Sequence, residues 1–420
     1  MADSHASRGA GAAVSGADAV VIGGGPVGLV FARALASAGM SVAVVDREAP
    51  GAGPEAGSDG RVSAVAPGSR RVLEALGLWR AMAAAAQPVR DIRVTDGAAP
   101  AFLHLGHGET GPEPLGHVVE NRVIRSVLAG AVAADPAMTM LAPARVAEIA
   151  RERNGARVAL ADGRVIRAPL VVGADGRASP VRAAAGIGVA EWDYDQGAIV
   201  ATIAHARRHE GVAEERFLPA GPFAVLPMTD DAEGRHRSSV VWTERAALVP
   251  ALLALGAPDF EAELGRRLGD HLGAVAAVGP RWSYPLGLTL ADSYVAERLA
   301  LIGDAAHAIH PIAGQGLNLG IRDAAALAEV VVDARRLGLD HGTTAALADY
   351  ERWRRFDNVC LAAATDLLDR LFSTGFAPLR AARALGLAAV QRLGFARRLI
   401  LREAMGIAGD LPRLVRGEPL

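Results

Sequence analysis

A glycine-rich turn set between two apolar runs constrains this chain more than any other stretch of it. Residues 19–22 read Ala-Val-Val-Ile, an all-apolar run with the β-branched bias of a buried strand. Gly23, Gly24, Gly25, Pro26, Val27 and Gly28 follow, then helix-forming residues up to Gly39, then a second strand over residues 41–46 that closes on Asp46. Gly23, Gly25 and Gly28 stand at G-x-G-x-x-G spacing. The first permits the tight turn, the second lets backbone approach a pyrophosphate, and the third lets helix and strand pack closely. The N–H groups at the helix start face the phosphate, and Asp46 can accept from a ribose hydroxyl. In a chain with 48 glycines the bare motif says little. The flanking strands and the terminal acid make a dinucleotide the expected ligand.

Half of the 420 residues are apolar, enough for two or three domains with their own cores. A formal charge of −2 gives no reason to expect nucleic acid as a ligand. Every cation is arginine, and the absence of lysine excludes Schiff-base chemistry. Cys360 is the only cysteine, which rules out an internal disulfide, a C-x-x-C redox pair and a cysteine zinc site. Residues 1–17 are small and polar, read as a disordered leader without the apolar core of a signal peptide. With no run of about 18 apolar residues to span a bilayer, the expected setting is the cytoplasm.

Beyond Asp46 a Gly/Pro-rich loop runs over residues 49–60, followed by Arg61, which either reaches back to a phosphate or ribose or stands as a solvated surface arginine, and a helix over residues 68–78. Residues 92–113 look like strands leaving the first domain, and Val118, Val119, Glu120 and Asn121 lead into a helix that Pro136 ends. Residues 156–168 read as a hairpin turning at Asp162 and Gly163. A buried strand, residues 170–172, then runs into Gly173, Ala174, Asp175 and Gly176, taken alone either an ordinary strand-to-helix connection or a second backbone-exposing turn. From Gln196 several strands follow without helices between them, apart from a helix over residues 259–268 with Phe260, Leu264 and Leu268 on one face. That texture predicts a mostly antiparallel sheet inserted into the first domain.

The α/β texture returns at Arg298. A strand over residues 299–302 runs into Gly303, Asp304, Ala305, Ala306 and His307, then a Pro/Gly-rich loop from His310 and Pro311 through Gly314, Gln315 and Gly316, and a long helix from Leu317 and Asn318. Asp304 is placed to hold a polyol chain, and the helix start is an anion site. His307 and His310 have no third metal ligand beside them, so structural roles are expected and no metal. Residues 343–420 read as helical. Leu347, Tyr350, Trp353, Phe356, Val359, Ala363, Leu367 and Leu371 form the stripe of a helix packed on the body. Arg380, Arg383, Arg392, Arg397, Arg398 and Arg402 lie among apolar residues, which suits either a solvated helical cap or contact with anionic lipid.

Three nucleotide-facing turns in this order resemble those of the single-component FAD-dependent aromatic hydroxylases, and the third, GDAAHAIHPIAGQGLN, is the most specific. Within that family the chain resembles the ubiquinone-biosynthesis hydroxylases. The residues that carry this likeness are Val118 to Arg122 in VVENR, Glu215, Arg216 and Phe217, Gly221 and Pro222, Leu226 and Pro227, Trp353, Arg354 and Arg355, Asp357 and Asn358, Ala404, Met405 and Gly406, and Leu411 with Pro412. The resemblance implies an α/β fold of the para-hydroxybenzoate hydroxylase kind. A Rossmann-type FAD-binding domain would take residues 18–87, 117–188 and 292–342, an inserted mostly antiparallel β-sheet substrate domain residues 88–116 and 189–291, and C-terminal helices residues 343–420.

The resemblance also implies the site. Gly23, Gly25, Pro26, Val27, Gly28, Asp46 and Arg47 would hold the ADP half of non-covalent FAD, with Arg61, Asn121 and Arg125 at its sugar or phosphates. Gly303 and Asp304 would take the ribityl side, and Pro311, Gly314, Gln315, Gly316, Leu317 and Asn318 would lie along the isoalloxazine ring. Asp175 and Gly176 would serve the pyrophosphate and a transient NAD(P)H. The implied reaction reduces FAD with NAD(P)H or another reductant, adds O2 to give a flavin hydroperoxide, and hydroxylates the ring of a prenylated phenol. No catalytic base is assignable from the sequence. A prenyl-chain reductase of the same fold and a non-catalytic flavin-binding subunit of a quinone-biosynthesis complex remain alternatives. The missing lysine argues against a flavin halogenase and the single cysteine excludes the disulfide reductases. Partners expected besides substrate and O2 are an inner-membrane surface or a biosynthetic complex met peripherally through the C-terminal helices.

Overall fold

A computed structural model describes residues 14–49, 60–97, 102–109, 111–310, 312–373 and 377–420. Its centre is a six-stranded sheet in the order Val295–Ala296, Leu299–Leu301, Leu170–Gly173, Ala19–Ile22, Val42–Val45, Met138–Leu141. Only the first pair is antiparallel. The strands Ala19–Ile22, Val42–Val45 and Leu170–Gly173 are buried throughout, as expected where helices cover both faces of a parallel sheet. The helices Pro26–Ser37 and Gly316–Arg336 pack against each other on it.

The second large element is an eight-stranded sheet. Its order is His307–Ala308, Val275–Ala291, Val189–His205, His236–Arg245, Gly221–Met228, Val212–Leu218, Asp91–Asp96, Phe102–Gly106. All of its pairs are antiparallel except Val212–Leu218 with Asp91–Asp96. One face packs under the helix Ala257–Leu268, whose Phe260, Leu264 and Leu268 are fully buried on Phe223 and Trp242. On the other face Leu103, Leu105 and Met228 pack with Leu401 and Met405 of the C-terminal region. The expected hairpin forms from Gly155–Leu160 and Val165–Ala168.

Two expectations are corrected. The disordered leader was placed over residues 1–17, but Val14–Gly16 is a strand paired in parallel with residues 165–167, because those backbone groups complete a sheet edge. Residues 1–13 lie outside the described residues, as do residues 50–59 of the loop after Asp46. The second correction concerns the helix Thr344–Ser373. Leu347 and Tyr350 are fully buried and Trp353 is half-buried, but Phe356 is 73% and Leu367 65% exposed. Past Trp353 the inward positions are Arg354, Asn358, Ala362, Thr365 and Asp369. These residues also recur at three- and four-residue steps, and a buried ion network holds that face inward.

Candidate active site

The three predicted turns leave the carboxyl ends of three adjacent parallel strands. Ala19–Ile22 runs into Gly23, Leu170–Gly173 into Ala174, and Leu299–Leu301 into Gly303. In an open parallel sheet this edge is where ligands bind. The turns touch. Ala174 N–H donates to Ile22 O at 2.8 Å, and a Cβ on Gly23, whose φ is +115°, would lie 2.2 Å from Ala174 O. A Cβ on Gly28 would lie 2.1 Å from Gly23 O, so the third motif glycine is fixed by packing. Val27 reaches the third turn: a Cβ on Gly320 would lie 2.5 Å from Val27 Cγ2, and one on Gly303 3.2 Å from Val27 Cγ1.

Other glycines of the same turns behave differently. Side chains built on Gly25, Gly176 or Gly316 would enter open space. Gly25 and Gln315 cap the helices Pro26–Ser37 and Gly316–Arg336, with no side-chain cap and no acid in either first turn. The free N–H groups of two helix starts therefore face the space left by those glycines, a setting for anions. A diphosphate fits the first helix start, and the anionic N1 edge of a reduced flavin fits the second.

The predicted acids take distinct places. Asp46 Oδ2 accepts from Gly24 N–H at 2.5 Å and Oδ1 from Glu48 N–H at 2.7 Å, which holds the acid beside the first turn. Asp175 accepts from the hydroxyl of Ser179, the N-cap of the short helix Pro180–Ala184, at 2.5 Å and from Val181 N–H at 3.0 Å, and burial raises its pKa. Asp304 is exposed between the buried Gly303 and Ala305, yet protein surrounds it closely enough for desolvation to raise its pKa against the pull of His307 and Arg177. A carboxyl that is both deep and open to water lines a cleft.

The other predicted positions divide. Asn121 N–H donates to Arg61 O at 3.0 Å and Asn121 Oδ1 accepts from Ser63 Oγ at 2.7 Å, so these two are brought together. Arg61 also faces Tyr284 of the large sheet, where its charge and that of Arg177 oppose the rise that burial imposes on the phenol. Arg125 stands half-buried on the helix Asn121–Ala134. Arg47 is 74% exposed and pairs with Glu48 at 3.7 Å. The Asn318 side chain holds Ala66 N–H, Ala64 O and Gly314 O, leaving only its backbone toward the helix start. Gln315 Nε2 donates to Ala404 O, tying the helix start to the C-terminal region. Gly314 adopts a φ of +61° and Leu317 packs on the core. Pro311 lies outside the described residues.

Sequence reasoning missed the network under the third turn. Asp323, fully buried, accepts from Gly303 N–H at 3.1 Å, His307 Nε2 at 2.5 Å, Arg354 Nε at 2.9 Å and Asn358 Nδ2 at 3.1 Å. Burial would raise the Asp323 pKa; His307, Arg354 and Asn358 overcome that and hold it near 2. Arg182 was also missed. Its guanidinium donates to Ala305 O and Arg177 O, both at 2.9 Å, stapling the second turn to the third. The sequence signal for Asp323 was an acid inside an apolar helix, a residue that stays buried only when paired.

A family model described as "FAD binding domain" matches residues 16–355. The ubiquinone hydroxylase UbiL of Rhodospirillum rubrum is 53% identical over 407 residues, covering 96% of this chain and 94% of its own. The 3-demethoxyubiquinol 3-hydroxylase of Escherichia coli is 35% identical, covering 92% of this chain and 98% of its own. Among solved structures, PqsL of Pseudomonas aeruginosa, a probable FAD-dependent monooxygenase, superposes with a TM-score of 0.74 at 26% identity, over 89% of this chain and all of that one. With its three turns converging on one sheet edge and these relatives spanning nearly its whole length, the chain belongs to the FAD-dependent monooxygenases, in the group of the ubiquinone hydroxylases.

Proposed function

We propose that this chain hydroxylates the aromatic ring of a prenylated phenol in ubiquinone biosynthesis, with FAD as the resident cofactor and NAD(P)H and O2 as co-substrates. The observation that carries the reading is the split among the turn glycines. Gly23, Gly28 and Gly320 are fixed by packing and Gly176 and Gly303 by a left-handed backbone (φ +89° and +58°), whereas Gly25 and Gly316 open onto a shared edge at two uncapped helix starts. Gly25, Pro26 and Asp46 would hold the ADP half, Asp304 the ribityl chain, and the N–H groups of Gly316, Leu317 and Asn318 the flavin ring. FAD supplies oxygen activation when bound; the protein supplies binding and orientation. Asp175 and Gly176 would border the pyrophosphate.

The test is the quinone profile of cells lacking the gene, grown in air, followed by 18O2 labelling with purified protein. Loss of the quinone with build-up of a prenylated phenol short of one oxygen, and 18O in the product, supports hydroxylation. Saturation of the prenyl chain without 18O would overturn it.

We propose further that the helices Ala377–Arg392 and Gly394–Ala404 carry a lipid-facing surface. Leu385, Phe395 and Leu399 are exposed there beside the exposed Arg392, Arg398 and Arg402, the pairing of apolar and cationic groups that suits an anionic bilayer surface. Two arginines leave that set: Arg383 is buried on Asp96 at 3.1 Å and Arg397 pairs with Glu109 at 2.8 Å. The Arg380 side chain lies outside the described residues. No helix among the described residues is long and apolar enough to cross a membrane. Flotation with anionic but not with neutral vesicles supports this placement, and flotation with neither, or equally with both, refutes it.

A further inference from the structure

Glu215 is a carboxyl on the inner face of the large sheet that no side chain or backbone group among the described residues engages. Along Val212–Leu218 side chains alternate between faces. Glu214 and Arg216 point toward the helix Ala257–Leu268: Glu214 pairs with Arg216 at 2.7 Å and His271 at 2.9 Å, and Arg216 donates to Arg267 O. Ala213 and Phe217 point the other way. Ala213 joins Leu103, Met228 and Leu401, while Phe217 packs on Ile312 and stacks on Phe372 with ring centroids 4.0 Å apart. Glu215 stands between Ala213 and Phe217 on that second face, across from Ala224 and Val94.

Ile312 belongs to the loop that leads into the helix Gly316–Arg336. Glu215 therefore lies on the wall that faces the flavin loop, two residues from a side chain touching it. Among the described residues none donates to its carboxylate, yet solvent reaches it in part. A desolvated carboxyl without a partner is unfavourable for folding, so packing does not account for an acid at this position.

We propose that Glu215 binds the hydroxyl of the ring substrate and accepts its proton. This rests on the hydroxylase reading above. The phenol O–H bond breaks, a carboxyl O–H bond forms, and the phenolate left behind directs electron density into the ring that receives oxygen. The proton departs to the water that reaches the carboxyl.

The local chemistry suits the role. Burial alone pushes the Glu215 carboxyl up to about 8. An ordinary glutamate is nearly six pKa units below a phenol, so proton transfer would be disfavoured by more than about five orders of magnitude; from about 8 the penalty is roughly a hundredfold. The charged and titratable groups on the elements around it are Asp96 of the neighbouring strand, closed by Arg383 of the helix Ala377–Arg392, and His310, Asp366 and Asp369 where the flavin loop meets the helix Thr344–Ser373. None of them contributes to the shift.

The experiment compares wild-type holoenzyme with Glu215→Gln, using 2-prenylphenol and its methyl ether as probes. Calorimetry in two buffers of different ionisation heat counts protons exchanged on binding. Near pH 7.5 the wild type releases protons on binding the phenol and none on binding the ether; E215Q releases none with either. Hydroxylation by the wild type rises with pH through an inflection near 8. In E215Q that inflection is lost, kcat falls about a hundredfold or more, and oxygen consumption yields peroxide, while FAD content and NAD(P)H-driven flavin reduction are kept. Equal proton release and an unchanged pH profile in a folded, FAD-replete E215Q overturn the assignment and leave the hydroxylase reading intact. A wild type that binds the phenol without incorporating 18O overturns both.

Discussion

Asp323→Asn is the most informative single change in the third turn. It keeps the shape and removes one charge from a site where Asp323 and Arg354 are both fully buried. The carboxylate accepts from four donors, on Gly303, His307, Arg354 and Asn358. An asparagine offers one acceptor oxygen and presents an NH2 to the donors facing the other position, so at least one buried N–H loses its partner. Arg354 keeps Asp357 at 2.8 Å and Asn358 at 2.8 Å but loses its buried counter-charge. Breaking a buried pair from one side costs about 3–5 kcal/mol. For a 420-residue cooperative unit with about 2.1 cal/mol/K per residue at the midpoint, that corresponds to a fall of roughly 3–6 °C in Tm. Because Gly303 N–H is one of the donors, the third turn loosens and FAD affinity falls as well. Calorimetry of the apoprotein and a flavin-quenching titration read the two effects separately. A Tm within about 1 °C of wild type with unchanged flavin affinity would refute the view that Asp323 holds the turn.

Gly28→Ala forces a Cβ to within 2.1 Å of Gly23 O and should cost about 3 kcal/mol or more of apoprotein stability, whereas Gly316→Ala, with open space around it, should raise apoprotein Tm slightly and weaken FAD binding; equal effects in the two variants would undo the division between packing and ligand-facing glycines. Asp46→Ala removes the acceptor for Gly24 and Glu48 N–H and should weaken FAD about tenfold or more with under ~1 kcal/mol lost from the apoprotein by denaturant titration. His117 and His310 are held neutral by burial, with pKa values near 4, while unfolded histidines titrate near 6.5. At these two positions the unfolded chain thus binds more protons between those values, so each histidine withdraws up to ~1.4 kcal/mol of stability per pH unit as pH drops from about 6.5 to 4, while Glu215, raised to about 8, acts in the opposite sense above about 4.5; a pH dependence of the urea midpoint over that window that is the same in wild type and His117→Gln would contradict it.

The parts legible in the sequence were those fixed by local rules. The first turn was readable because Gly23, Gly25 and Gly28 sit between a buried strand and an acid, and the helix at Phe260, Leu264 and Leu268 because its buried face repeats at helical spacing. What escaped were long-range pairings. Nothing local says that Arg182 reaches Ala305, 123 residues on, or that Arg383 closes on Asp96, 287 residues away. The split among glycines was equally hidden, since whether a glycine is required by a neighbour or by a ligand depends on which backbone folds across it.

The helix Thr344–Ser373 shows how such long-range pairing overrides a pattern that local rules favour. Two stripes of helical spacing compete there. One carries Phe356, Val359, Ala363 and Leu367; the other carries Arg354, Asn358, Ala362, Thr365 and Asp369. Burying the first would gain about 1.5–3 kcal/mol for each large apolar side chain, a total of a few kcal/mol. Turning the helix to do so would withdraw Arg354 and Asn358 from Asp323, at about 3–5 kcal/mol for the broken pair, and would also leave Gly303 and His307 attached to an uncompensated charge. The two sums are comparable for folding alone. The difference lies in the third turn, which only the polar stripe can hold against the sheet edge, and Tyr350 supports the same side by donating from its hydroxyl to Leu301 O at 2.7 Å. The exposed apolar stripe is therefore a consequence of fixing the site from behind. Substituting Phe356 and Leu367 together by polar residues should leave Tm within about 1 °C and FAD affinity unchanged, as checked by calorimetry and flavin titration; a substantial loss of either would mean that those side chains support the fold in a way their exposure conceals.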